Sequence, residues 1–188
     1  NFVFYATSNK FLDLISPEIT FGRKWNFDGL RKDQWLVPEL YIQFKGQTNI
    51  DFYYLWSSER FKGFYFPGIK RGGINFNSNF FENLSFHFNI ESGRFIARNL
   101  DAPVLGKGNN ISISSTIKLF RRFFIEPDYS FSNLKHPDTD ETIFNGYILR
   151  TKFTYQFTRE LFCRMVVQYN NFNKSLNLEP LLYYKLNP

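Results

Sequence analysis

An all-β chain, built as an antiparallel up-and-down transmembrane β-barrel of about eleven strands, is what the sequence predicts. Three observations lead there. Apolar and polar side chains alternate over long stretches, short and long connections take turns along the chain, and a large aromatic content coexists with a negative mean hydropathy.

The alternation is plainest in GYILRTKFTYQFTRELFCRMVVQYNNF, residues 146–172. Tyr147, Leu149, Thr151, Phe153, Tyr155 and Phe157 fall on one parity, and Ile148, Arg150, Lys152, Thr154 and Gln156 on the other. Successive side chains of a strand point to opposite faces, so this pattern describes a sheet with an oily side and a wet, partly cationic side. After Arg159 and Glu160 it resumes with Leu161, Cys163, Met165, Val167 and Tyr169 against Arg164, Gln168 and Asn170, which predicts a hairpin with a very short turn. NNISISSTIKLF, NLSFHFNIES and GGINFNSNFF repeat the two-faced pattern, with Asn, Ser, Glu and Lys on the wet side as a water-filled or polar-packed interior needs.

Extended segments are expected near residues 1–7, 11–25, 34–45, 48–58, 72–82, 84–97, 109–120, 123–133, 146–158, 161–171 and 176–187, with no convincing helical periodicity. Tight turns are predicted at SNK, GQT, EN, RR and RE, spaced by roughly 36 to 39 residues, about a long hairpin plus its loop. The longer links NFDGLRKD, SERFKGFYFPGIKRG, LDAPVLGKGN, KHPDTDETIFN and NFNKS lie between them, so all tight turns are expected at one end of the sheet. Short periplasmic turns and longer external loops sort in this way in an outer-membrane barrel. Pro17, Pro38, Pro127 and Pro180 fall inside expected strands and, lacking a donor for the ladder, are expected at bulges or strand ends.

With 188 residues, 25 Phe and 11 Tyr, aromatics make up 21% of the chain while mean hydropathy is −0.35, as a sheet greasy on one side only would give. The longest apolar runs, such as FYYLW, fall far short of the roughly 20 residues of a membrane-spanning helix. The start, NFVFYATSNK, lacks the order of a secretion signal and reads as mid-strand; the expectation is a single barrel region, 1–188, that forms the C-terminal part of a longer protein. The net charge of +6 is scattered without a basic block, which argues against a nucleic-acid partner and for a cationic interior or rim.

Polar candidates for the lumen are Arg150, Lys152, Arg164, Lys118, Glu126 and Asp128. Aromatic candidates for the lipid–water interface are Trp25, Trp35, Trp56, Tyr129, Tyr147, Tyr169 and Tyr184. No catalytic set, metal site or cofactor motif is distinguished. His87 beside Asn89 and Glu91 has no distinguished serine, HPDTDE lacks the glycine and spacing of a calcium loop, GKGNN reads as a turn, and the single Cys163 reads as a small buried hydrophobe.

The stretch from Phe144 to the end resembles the C-terminal portion of a bacterial family described as domain of unknown function 5916. The likeness is carried by Tyr155, Gln156, Phe157, Thr158, Arg159, Glu160 and Leu161, then Arg164, Gln168 and Tyr169, and last Leu182, Tyr184, Leu186, Asn187 and Pro188. It covers about the last quarter of the chain, and upstream the match is one of pattern. The resemblance implies an outer-membrane barrel that often follows a family 9 carbohydrate-binding-like module, and transfers no catalytic residue. Members continue past LNP, so these residues are expected to be part of a larger barrel.

The expected function is therefore a porin-like pore, a plugged scaffold or a docking surface in the bacterial outer membrane. Its partners are outer-membrane lipid, other outer-membrane subunits, and glycans through a module outside this chain. Two other readings stay open at this point: a soluble all-β glycan-binding module, and an outer-membrane hydrolase.

Overall fold

A computed structural model describes residues 2–185. Among them there is no helix, and eleven antiparallel strands form one sheet in simple sequential order. The strands are β1 (Phe4–Tyr5), β2 (Leu12–Trp25), β3 (Arg31–Phe44), β4 (Thr48–Phe61), β5 (Phe64–Phe81), β6 (Leu84–Ile96), β7 (Leu105–Phe120), β8 (Phe123–Lys135), β9 (Thr142–Gln156), β10 (Leu161–Asn170) and β11 (Ser175–Tyr184). β1 and β11 are its edges, and they are not paired with each other. The predicted last segment runs into Leu186, Asn187 and Pro188, which lie outside the described residues.

The register turns the alternation into two continuous surfaces. One row across the sheet takes Phe4, Ile15, Ile42, Ile50, Phe76, Phe88, Ile113, Tyr129, Leu149, Tyr169 and Leu176, an apolar or aromatic residue from every strand. The next row, one residue along and therefore on the opposite face, takes Gln43, Asn49, Asn77, His87, Ser114, Asp128, Arg150, Gln168 and Asn177 from β3 to β11. A slip of one residue in any pairing would put a polar side chain into the apolar row, so the pattern specifies the register at each of these strands.

Apolar side chains are fully buried at only a few places: Phe66, Ile69, Ala97, Leu134 and Val166. Ile69 is opposite Ser57, Leu134 opposite Gly108, and Val166 between Lys152 and Glu179, so these three belong to the polar face. Among the described residues no second layer covers the apolar face. Its side chains range from half-buried, Ile50, Phe88 and Ile113 among them, to exposed, Ile19 at 73% and Leu178 at 59%. The chain keeps 13042 Å² of accessible surface, against about 9,500 Å² for a compact monomer of its mass.

The loops depart from the expected sorting in more than one place: the expected tight turn at SNK is a six-residue connection, 6–11, longer than the links at 26–30 and 171–174, and one expected long link is a tight turn. SERFKGFYFPGIKRG is almost wholly strand, closed by a two-residue turn at Lys62 and Gly63, with φ of 49° and 83°. Two positive φ values suit the tight hairpin turn whose twist matches the strands. This tight turn lies at the end expected to carry only long links. Pro67 and Gly68 shift the register between Ser57 and Glu59, and that bulge interrupts the alternation which would have revealed the strand. GKGNN is likewise strand rather than turn. Gly106 and Gly108 lie in β7, where added Cβ atoms would strike Leu134 and the Asn133 carbonyl.

The four prolines expected inside strands, Pro17, Pro38, Pro127 and Pro180, are neither at strand ends nor at register shifts. The β3–β4 ladder skips Val37 and Pro38 and resumes in the same register, and the β7–β8 ladder does the same at Pro127. Lys185 N–H donates to the Glu160 carbonyl at 2.8 Å; alternation from that pair directs the nitrogen of Pro180 away from β10, toward the free edge. The Pro17 nitrogen faces β1, whose pairing is limited to Phe4 and Tyr5. Each proline therefore directs its missing donor to a gap in the ladder, a weakly paired strand or an edge.

Candidate functional site

Side-chain chemistry converges on the polar face, which is organised by cross-strand pairs. Tyr53, Gly73 and Glu91 are neighbours on β4, β5 and β6. Because Gly73 has no side chain, the Tyr53 ring lies across β5 and its hydroxyl donates to Glu91 Oε1 at 2.6 Å. A Cβ at position 73 would stand 2.2 Å from the ring. Arg71 Nε approaches the same carboxylate at 3.5 Å. One row on, Asn75 Nδ2 donates to Asp51 at 3.0 Å and Asn89 Nδ2 donates to Asn75. In the following row Asn77 Nδ2 donates to Asn49 at 3.0 Å, and Asn77 Oδ1 accepts from His87 Nδ1 at 2.5 Å. An amide ladder thus ties β4, β5 and β6 together.

Across β7 to β10 the same face is less tied down. Lys152 pairs with Glu126 at 2.8 Å. Asp128 and Arg150 are register partners, yet neither side chain makes a hydrogen bond or ion pair with the described residues. They line a cavity of about 330 Å³ with Asn77, His87, Ser114 and Lys152. All six expected lumen residues, Arg150, Lys152, Arg164, Lys118, Glu126 and Asp128, share this face by register, opposite one another or alternating along a strand. Glu18 and Glu39, paired across β2 and β3, place acidic groups on the other flank of the same face. Charge is thus divided, with carboxylates toward β2–β4 and cations toward β9–β10.

The expected interfacial aromatics divide. Trp56 lies on the apolar face against Tyr54, their ring centres 4.4 Å apart, beside Lys70. Tyr147 contacts Tyr129 at 5.8 Å and Tyr169 at 6.0 Å on that face. Trp25 ends β2, and Tyr184, opposite Leu161, ends β11 at the other rim. Trp35 does not fit the expectation. Its partner is Gly22, an added Cβ there would stand 2.1 Å from the indole, and this places Trp35 on the polar face, filling the space that Gly22 leaves. Nothing in local sequence marks the exception, because it depends on a glycine in the neighbouring strand.

Of the remaining candidates, the His87 ring has Asn77 rather than Asn89 or Glu91 as its partner, and the hydroxyl of its cross-strand neighbour Ser114 makes no bond to the ring. In HPDTDE the His136 ring accepts from the backbone of Asp138 and Thr139, while Asp140 pairs with Lys135 at 3.1 Å; the described residues hold no group of ligands suited to a metal ion. At the loop end, Arg98 forms a two-pronged pair with Glu59, both bonds 2.6 Å, which raises the Arg98 guanidinium above its ordinary value. Cys163 is half-buried on the apolar face between Tyr155 and Leu182.

Compared with known proteins, the chain matches no family model, no curated protein and no solved structure.

The Tyr53–Gly73–Glu91 arrangement makes a definite prediction. Tyr53→Phe and Gly73→Ala each remove the same hydroxyl–carboxylate bond, so each should lower folding stability by about 1–3 kcal/mol. The double variant should cost little more than either alone, as measured by urea unfolding; additive losses would mean that the glycine serves another purpose.

Proposed function

We propose that this chain forms a wall of a bacterial outer-membrane β-barrel, with lipid on its apolar face and a wet interior on its polar face. The observation that carries this reading is the unbroken apolar row running through all eleven strands with no protein layer over it. In water such a surface would associate. In a bilayer it is the required exterior, since closed barrels satisfy every backbone group internally and expose apolar side chains to lipid.

The dimensions agree. From Tyr147 to Tyr155 the strand rises about 27 Å, or about 20 Å after a tilt near 45°, close to the apolar band of roughly 25 Å in outer-membrane barrels. The strands of 13 to 18 residues from β2 to β9 exceed the 9–11 residues needed to cross, leaving their ends to project beyond the lipid. β1 and β11 run in the same direction, so closure by antiparallel pairs alone needs an odd number of further strands, from the rest of the protein or a partner subunit. The resemblance of the last quarter to domain of unknown function 5916 points the same way.

The unpaired Asp128 and Arg150 beside an open cavity favour a water-filled passage over a filled scaffold, because charges in a closed interior would be left without solvent or partner. Its cargo is then a small polar solute, screened by the divided charge of the wall.

The full-length protein should fractionate with outer membranes, resist extraction without detergent and migrate faster unheated than boiled on a denaturing gel. Release in aqueous buffer would instead favour a soluble glycan-binding module. In planar bilayers, Arg150→Glu should shift selectivity toward cations; unchanged selectivity would remove Arg150 from the permeation path.

A further inference from the structure

On the apolar face of β6, β7 and β8 the chemistry changes in three steps toward the loop end. The row Ile90–Ile111–Phe131 is followed by Ser92–Asn109–Asn133 and then by Arg94–Lys107–Lys135. All three cations are exposed, and adjacent strands bring them to neighbouring positions about 4.8 Å apart in the backbone. A surface that runs from hydrocarbon through amide to cation within five residues of each strand is matched to an amphiphile whose anionic head sits above its chains.

The cationic step is also hollow. A cavity of about 350 Å³, the size range of small-molecule sites, is lined by Lys107, Lys135, Asn109, Asn133, His136 and Asp140. Asn133 Oδ1 accepts from the Asn109 backbone at 2.7 Å, which holds the Asn133 amide in the cavity wall. The Lys107 ammonium has no hydrogen bond or ion pair with the described residues. Arg94 reaches only the Gly68 carbonyl, at 3.5 Å, and Lys135 is paired with Asp140, whose side chain is 81% exposed. An ion pair so open to water is worth about 0–1 kcal/mol, so a stronger anion can take its lysine.

We infer that Arg94, Lys107 and Lys135 form a site for the phosphate groups of a lipid headgroup in the leaflet on the loop side of the membrane. This rests on the membrane reading above. The lipid source is favoured over free phosphate because the cations continue the lipid-facing surface and point away from the polar face. The geometry favours a headgroup with more than one phosphate, since three cations span three strands.

The test uses the full-length protein in mixed micelles with diphosphoryl lipid A or with phosphatidylcholine, read by native mass spectrometry as lipid retained. Wild type should prefer diphosphoryl lipid A by at least about tenfold, given the contribution of each basic residue near an anionic lipid surface. Lys107→Gln/Lys135→Gln should lose that preference and Lys107→Arg/Lys135→Arg should keep it. Equal preference in wild type and the Gln variant would overturn the site, as would displacement of the lipid by millimolar inorganic phosphate, which would mark it as a free-phosphate site. Outer-membrane fractionation of the same variants is read in parallel. A protein that fractionates with the membrane but shows no lipid preference loses this inference alone, whereas one that stays in aqueous buffer loses the membrane reading as well.

Discussion

The backbone ladder and the two-residue period of a strand together constrain everything else in this molecule. Once β1 to β11 pair in sequence, each residue shares its face with its partners on both sides, and Phe4, Phe88 and Leu176 belong to one surface although they are far apart in the chain. A sheet with no covering layer cannot hide such a surface from its surroundings. At roughly 25 cal/mol per Å² even half of the excess exposed area would be a large penalty in water, which is why an apolar environment is proposed for this face. The proposed membrane setting rests on that mismatch rather than on any motif.

The opposite face meets a different requirement. Polar side chains on closely spaced strands need partners or water, and the two halves of the sheet use different solutions. Between β4 and β6, Asn49, Asp51, Asn75, Asn77 and Asn89 are linked by cross-strand hydrogen bonds that leave Asp51 Oδ1 without a partner, and Gly73 allows Tyr53 to bridge a full strand to Glu91. Such a network stiffens the wall, because each donor is held by an acceptor on the next strand. Between β8 and β9, Asp128 and Arg150 are left open. One half is tied by cross-strand bonds, and the other keeps the charged side chains on which the proposed solute passage rests.

Much of the fold was legible because alternation reports directly which of the two faces of the sheet each residue occupies. Eleven strands, their sequential order and the faces of Arg150, Lys152 and Glu126 all follow from parity. Where parity fails, so does the reading. The bulge at Pro67 and Gly68 disguised the start of β5 as a long loop, and the glycines of GKGNN looked like a turn because the reason for them, Leu134, sits on the next strand. Trp35 was misplaced for the same kind of reason, through Gly22. The prolines needed knowledge of which ladder each nitrogen faces, and this is a property of pairs rather than of single segments. The outer cationic step was invisible for want of register: Arg94, Lys107 and Lys135 are scattered in sequence and adjacent only in the sheet.

The most direct measurement uses the single native cysteine. Cys163 lies on the apolar face, and Ser112, replaced by Cys in a Cys163→Ala background, offers a matched position on the polar face. With an environment-sensitive fluorophore at each site in reconstituted bilayers, brominated lipid should quench the label at 163 and leave that at 112, while aqueous iodide should do the reverse. Quenching of both labels by iodide and of neither by brominated lipid would contradict the account.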